Sequence, residues 1–148
     1  MTTTAPVPHV AAQLMKRGIL TLSPGTPILD VERLLGDSAI HGAPVVDSGG
    51  YALGVISALD VLRATMNLDA QARDALTAAD AMTRVLVTVG MTTPLTEVAH
   101  IMRQECVHRV LVTEHGRLMG IITSFDLLSL IAPDPPIRPA ATDHDPST

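Results

Sequence analysis

Aromatic residues are almost missing from this chain: Tyr51 and Phe125 are 1% of its 148 residues, and there is no tryptophan. Single-stranded nucleic acid is commonly held by bases stacked on aromatic rings, so that mode of binding is excluded. Basic residues are sparse as well. Ten Lys and Arg stand against fifteen Asp and Glu, for a net charge of −5. They are scattered, whereas a phosphate backbone needs a clustered cationic face, so nucleic acid is not expected as a partner. Cysteine occurs once, at Cys106, which excludes an internal disulfide. It reads as a small, half-buried residue on a helix. No apolar run approaches the roughly 20 residues of a membrane span, because the most apolar stretch, 120–132, is interrupted by Asp126. The start, Met1-Thr2-Thr3-Thr4, has neither the basic nor the apolar region of a signal peptide. A cytoplasmic protein with no membrane partner is expected. What is abundant is small and branched apolar residues: the hydrophobic fraction is 47%, so a core must be built from Val, Leu, Ile, Ala and Met.

The chain repeats itself. Val10-Ala11-Ala12-Gln13-Leu14-Met15-Lys16-Arg17 aligns with Thr77-Ala78-Ala79-Asp80-Ala81-Met82-Thr83-Arg84 at an offset of 67. Thr26-Pro27 aligns with Thr93-Pro94, Val31 with Val98, His41 with His108 and Val45 with Val112. One extra residue near Gly50 shortens the offset to 66, and Gly54-Val55-Ile56-Ser57-Ala58-Leu59-Asp60 then matches Gly120-Ile121-Ile122-Thr123-Ser124-Phe125-Asp126. Such self-similarity marks a duplicated structural unit.

Each copy carries the same signals. A short leading helix ends near Met15 or Met82. Branched apolar runs, 18–22 and 85–89, read as strands. Thr-Pro pairs then open helices, with Thr suited to capping and Pro to the first turn. Ile28, Val31, Leu34 and Leu35, and Leu95, Val98, Ile101 and Met102, recur at helical spacing. Two further strands flank turn sequences at 47–50 and 114–117, and a last helix starts near Ala58 or Ser124. The unit is β-α-β-β-α with a leading helix. Sixty residues alone make a marginal core, so two copies packed face to face with pseudo-two-fold symmetry are expected, an α/β (α+β) fold. The divisions read as a tail at 1–9, a first repeat at 10–66, a connector at 67–76, a second repeat at 77–132 and a disordered, proline-rich tail at 133–148.

Chemistry concentrates at two strand-to-helix junctions, Gly54-x-x-Ser57-x-x-Asp60 and Gly120-x-x-Thr123-x-x-Asp126. A hydroxyl and a carboxylate at a helix N-terminus suit a nucleotide: free N–H groups and the hydroxyl attract phosphate, and the carboxylate accepts from a ribose diol. The same spacing is also that of a capping box, and the pattern alone leaves both readings open. The six histidines form no metal-type cluster. No nucleophile elbow or Walker loop occurs, so neither catalytic residues nor a metal are expected.

Ala43-Pro44-Val45-Val46-Asp47 with Gly54–Asp60, and Val107-His108-Arg109-Val110-Leu111-Val112 with Gly120–Asp126, resemble the cystathionine-β-synthase (CBS) motif. Two in register, over roughly residues 10–131, resemble a tandem CBS pair, or Bateman module. The resemblance implies a regulatory module that binds adenosine-containing ligands (AMP, ADP, ATP or S-adenosylmethionine) between the copies, requires no cofactor, forms a homodimer and acts on an effector protein. It places Thr123, Asp126 and Arg109 on the phosphate and ribose of one ligand, with Ile121 nearby and Gly18, Ile19, Ile40 and His41 around the base. The second cleft takes Ser57 and Asp60, with Val85, Leu86, Val107 and His108. Because Gly42 stands where the other copy has Arg109, the second cleft is expected to lack that cation. The alternative is a ligand-free dimerisation or protein-interaction module.

Overall fold

The computed structural model describes residues 7–37 and 41–131. The proline-rich tail, most of the N-terminal tail and Ile40 lie outside that range. The first copy contains α1 (Ala11–Leu14), α2 (Ile28–Asp37), β1 (Gly42–Val46), β2 (Ala52–Ser57) and α3 (Ala58–Thr65). The connector carries α4 (Ala70–Asp74). The second copy contains α5 (Ala78–Ala81), β3 (Thr88–Gly90), α6 (Leu95–Glu105), β4 (Arg109–Glu114), β5 (Arg117–Thr123) and α7 (Ser124–Ile131). The duplicated α/β architecture is therefore as expected, with helices α2 and α6 in register with their apolar periodicity.

β1 and β2 pair antiparallel, from Gly42 opposite Ser57 to Val46 opposite Ala52. In the second copy β3 runs parallel to β4, and β4 antiparallel to β5, with Arg109 opposite Thr123. The turn between β4 and β5 is closed by His115 and Gly116, both with positive φ (52° and 82°), as the tight hairpin turns that follow sheet twist require. Equivalent side chains fill the two cores: Ile28, Val31, Val45 and Ile56 in one, Leu95, Val98, Val112 and Ile122 in the other. Burying each contributes about 1.5–3 kcal/mol.

The leading helices are exchanged. Ala11 and Met15 are buried in the core of the second copy, while Ala78 and Met82 are buried in that of the first. Backbone hydrogen bonds fix the exchange. Lys16 and Ile121 bond reciprocally at 2.9 and 3.1 Å, and Thr83 and Val55 at 2.8 and 3.0 Å. The exchange also serves the long helices. The first free N–H of α6, on Leu95, donates to the carbonyl of His9, and that of α2, on Ile28, donates to the carbonyl of Leu76 (both 2.9 Å). Backbone thus satisfies the helix starts that the Thr-Pro pairs were expected to cap. Thr26 instead bonds Ser23 at 2.9 Å, and Thr93 accepts from the N–H of Gly90 at 3.1 Å.

This exchange explains why the expected strands at 18–22 and 85–89 are largely absent. Lys16 lies on the edge of the second copy's sheet, and Leu22 bridges Val45 on the edge of the first. Residues 17–21 cross from one sheet to the other and cannot form a ladder on either. Residues 84–87 cross in the opposite sense, between the Thr83–Val55 bridge and β3. The apolar side chains of these spans line clefts instead. At the far end, the hairpin tips meet: Tyr51 bridges Arg117, whose guanidinium lies 5.3 Å from the centre of the Tyr51 ring. Cys106 follows α6 in the left-handed region (φ 54°) and is exposed, unlike the half-buried helical residue expected.

Candidate functional site

Each strand-to-helix junction is built by a glycine, a hydroxyl and a carboxylate. The glycine admits the exchanged segment. A Cβ on Gly120 would lie 2.7 Å from the carbonyl oxygen of Lys16 and 2.8 Å from the sulfur of Met15. On Gly54 it would meet Thr83 and Met82 at the same two distances. No other residue permits that approach without displacing backbone.

The hydroxyl and the carboxylate close reciprocal capping boxes. The N–H of Thr123 donates to Asp126 Oδ2 at 2.9 Å, and the N–H of Asp126 donates to Thr123 Oγ1 at 3.1 Å. The N–H of Ser57 donates to Asp60 Oδ2 at 2.8 Å, and the N–H of Asp60 donates to Ser57 Oγ at 3.2 Å. The capping reading of the motif is therefore correct as far as it goes. The second carboxylate oxygen faces the other copy. Lys16 Nζ lies 3.3 Å from Asp126 Oδ1, and Thr83 Oγ1 donates to Asp60 Oδ1 at 3.2 Å. Lys16 and Thr83 are repeat equivalents that sequence reasoning missed. Their one signal was position: each directly follows the methionine that ends a leading helix.

Three cavities adjoin these junctions. The first, about 400 Å3, is lined by Ile19, Leu20, His41, Gly42, Pro44, Arg109, Ile121 and Thr123. It unites the hydroxyl of one copy with the crossing span of the other, and holds five of the residues expected of one cleft. The second, about 240 Å3, holds Ser57 with His41, Gly42, Val55, Arg109 and Ile121. The third, about 300 Å3, holds Val85, Leu86, Val107, His108, Val55 and Arg109. The residues expected of the second cleft thus divide between two neighbouring cavities that share Val55 and Arg109. These volumes fall near the lower end of the roughly 300–1,000 Å3 of small-ligand pockets.

Asp126 is buried and Asp60 half-buried, and neither lines any of these three cavities; each stands behind its hydroxyl residue. Gly18 lines none either; its positive φ of 65° turns the chain just after Lys16. The Ser57 cavity does not lack a cation as expected, because Arg109 borders it too. Among the described residues, no group of three or more His, Cys, Asp or Glu could hold a metal. Nor is any described helix long and apolar enough to cross a membrane.

Comparison with known proteins follows the duplication. The family model described as CBS domain matches residues 10–67 and 78–133. The uncharacterized protein MJ1232 of Methanocaldococcus jannaschii is 29% identical over 115 residues, which are 77% of this chain and 36% of that protein. The chain therefore spans little more than a third of that relative. Among solved structures, CBSX2 in complex with AMP superposes with a TM-score of 0.73 at 23% identity, over 84% of this chain and 96% of that one. The CBS domain pair of MJ0100, in complex with 5′-methylthioadenosine and S-adenosylmethionine, gives a TM-score of 0.68 at 26% identity, over 85% and 97%.

Proposed function

The chain belongs to the CBS domain family as a tandem pair, and from that premise we propose that it is a regulatory module that binds an adenosine-containing ligand between its two copies. The observation that carries this is the first cavity, in which Thr123 of one copy faces Ile19 and His41 of the other. The helix start offers N–H dipoles and a hydroxyl to a phosphate or sugar. The crossing span offers apolar walls to a base. The AMP complex of CBSX2 and the adenosyl complex of the MJ0100 pair support the ligand class. Arg109 is the one Lys or Arg among the residues lining the three cavities, which favours AMP or S-adenosylmethionine over a triphosphate. Binding then biases the pair between two arrangements, by no more than the ligand's difference in affinity for them. An effector protein reads the change, and no catalytic step is assigned to the chain.

Calorimetric titration with AMP, ADP, ATP and S-adenosylmethionine, and with GMP as control, tests the proposal. Saturable binding of adenosyl compounds without GMP is expected. Heat-silent titrations with all of them, repeated by equilibrium dialysis, would refute it. The second reading, a ligand-free interaction module, has the closed capping boxes in its favour, and that same null result would support it.

The module is further proposed to be a homodimer. Helices α3 and α7 expose Leu59, Leu62, Phe125, Leu128 and Ile131, the last at 83%. Leu59 and Phe125 are repeat equivalents, as are Leu62 and Leu128, so one apolar stripe occurs on both copies. An exposed stripe of this kind marks an interaction surface. Sedimentation velocity should give twice 15.6 kDa, and the double variant Leu62→Glu, Leu128→Glu should sediment as a monomer. A monomeric parent protein at tens of micromolar would contradict this.

A further inference from the structure

The two clefts share one cation, placed where their pseudo-symmetry meets. Arg109 stands opposite Thr123 in the β4–β5 ladder, and its repeat equivalent, Gly42, stands opposite Ser57 in the β1–β2 ladder. The Arg109 side chain begins beside one hydroxyl and ends beside Gly42, on the strand paired with the one that carries the other, and it lines a cavity with that second hydroxyl, Ser57. A Cβ placed on Gly42 would lie 3.6 Å from Arg109 Nη1. It would also lie 2.9 Å from the carbonyl oxygen of Ile56, so position 42 has no room for a second arginine. Arg109 accordingly lines all three cavities, and no other Lys or Arg lines any of them. Arg109 takes part in no ion pair among the described residues, which leaves its donors available to a ligand.

We infer that Arg109 is a single anion-binding centre shared by the two clefts, so that the chain takes one phosphorylated adenosyl ligand at a time, whereas uncharged adenosyl ligands fill both clefts. This rests on the binding function proposed above and adds its stoichiometry. The first phosphate to bind, in either cleft, takes up the guanidinium's charge-assisted hydrogen bonds. A second phosphate then meets no free cation and is repelled by the first in a half-enclosed, poorly screened space. A neutral nucleoside makes neither demand, so charge sets no limit on how many are bound.

The experiment is calorimetric titration of the full chain with AMP and with adenosine, on the parent protein and on Arg109→Gln and Arg109→Lys. Two adenosines and one tightly held AMP per chain are expected, with any second AMP at least about tenfold weaker. A hydrogen bond to a charged group is worth about 1.5–3 kcal/mol, so Arg109→Gln should weaken the first AMP about 10–100-fold. Adenosine binding should persist in that variant, which also reports that it is folded. Arg109→Lys should retain the preference for a single AMP. Two AMP molecules of equal affinity on the parent protein, or AMP binding indifferent to Arg109→Gln, would overturn the inference while leaving the adenosyl site standing. One adenosine and one AMP per chain would also overturn it, because charge would not then set the stoichiometry. Binding of neither compound would defeat the proposed function itself.

Discussion

Gly120→Ala will destabilise the protein by about 3 kcal/mol, although it adds only one methyl group. Overpacking of this kind costs about 1–3 kcal/mol. Here the added carbon would lie 2.7 Å from the backbone oxygen of Lys16, which is held by its own ladder to Ile121 and cannot swing aside like a flexible side chain. Relieving the clash means breaking one or both of the Lys16–Ile121 hydrogen bonds, each worth about 1 kcal/mol, and lifting Met15 from the core of the second copy. Gly54→Ala should do the same to Thr83 and Met82 in the first copy. Gly25→Ala is the control: a Cβ there meets nothing within 4 Å, so the change should stay within about 0.5 kcal/mol. Urea unfolding of the three variants decides the matter. Equal midpoints for Gly120→Ala and Gly25→Ala would show that the exchanged segment is not held as described.

Asp126→Ala carries the largest expected loss of binding, about 100-fold, and a smaller loss of stability. Its carboxylate holds the N–H of Thr123 and the ammonium of Lys16, and spare lone pairs remain for a sugar diol. Losing the group that positions Thr123 and Lys16 beside the cavity, together with the bonds proposed from it to a sugar diol, accounts for the affinity. Loss of the cap should cost about 1 kcal/mol. The ion pair adds little to that, because the Lys16 side chain is 66% exposed and screened by water. A variant that lost stability but bound adenosyl compounds as well as the parent would reduce Asp126 to a cap.

The duplication, the helices α2 and α6, both hairpins and both strand-to-helix junctions were legible in the sequence, because each is signalled locally by periodicity, turn residues or a repeated motif. The helix exchange was not. Repeat matching shows that Val10–Arg17 resembles Thr77–Arg84, but it is silent on which sheet each segment meets. The hint lay in Gly54 and Gly120, whose missing side chains in otherwise apolar strands mark a close backbone approach. The spans 18–22 and 85–89 misled for a physical reason. Branched apolar residues suit a cleft wall as well as a strand, and composition does not separate the two. Lys16 and Asp126 are far apart in sequence and meet only through the exchange. The reach of Arg109 to Gly42 likewise depends on how the two copies face each other, which no local pattern encodes.

The proposed function stands on an adenosyl ligand bound between the copies and held by the Asp126 junction. Thermal unfolding of the parent protein and of Asp126→Ala, each with and without AMP or S-adenosylmethionine, tests it most directly. A ligand at 100 times its dissociation constant adds about 2.7 kcal/mol of stability. The melting temperature of the parent protein should rise with at least one of these compounds and not with GMP, and that of Asp126→Ala should rise little or not at all. A parent protein whose melting temperature stays unmoved by both compounds, or an equal rise in Asp126→Ala, would contradict it.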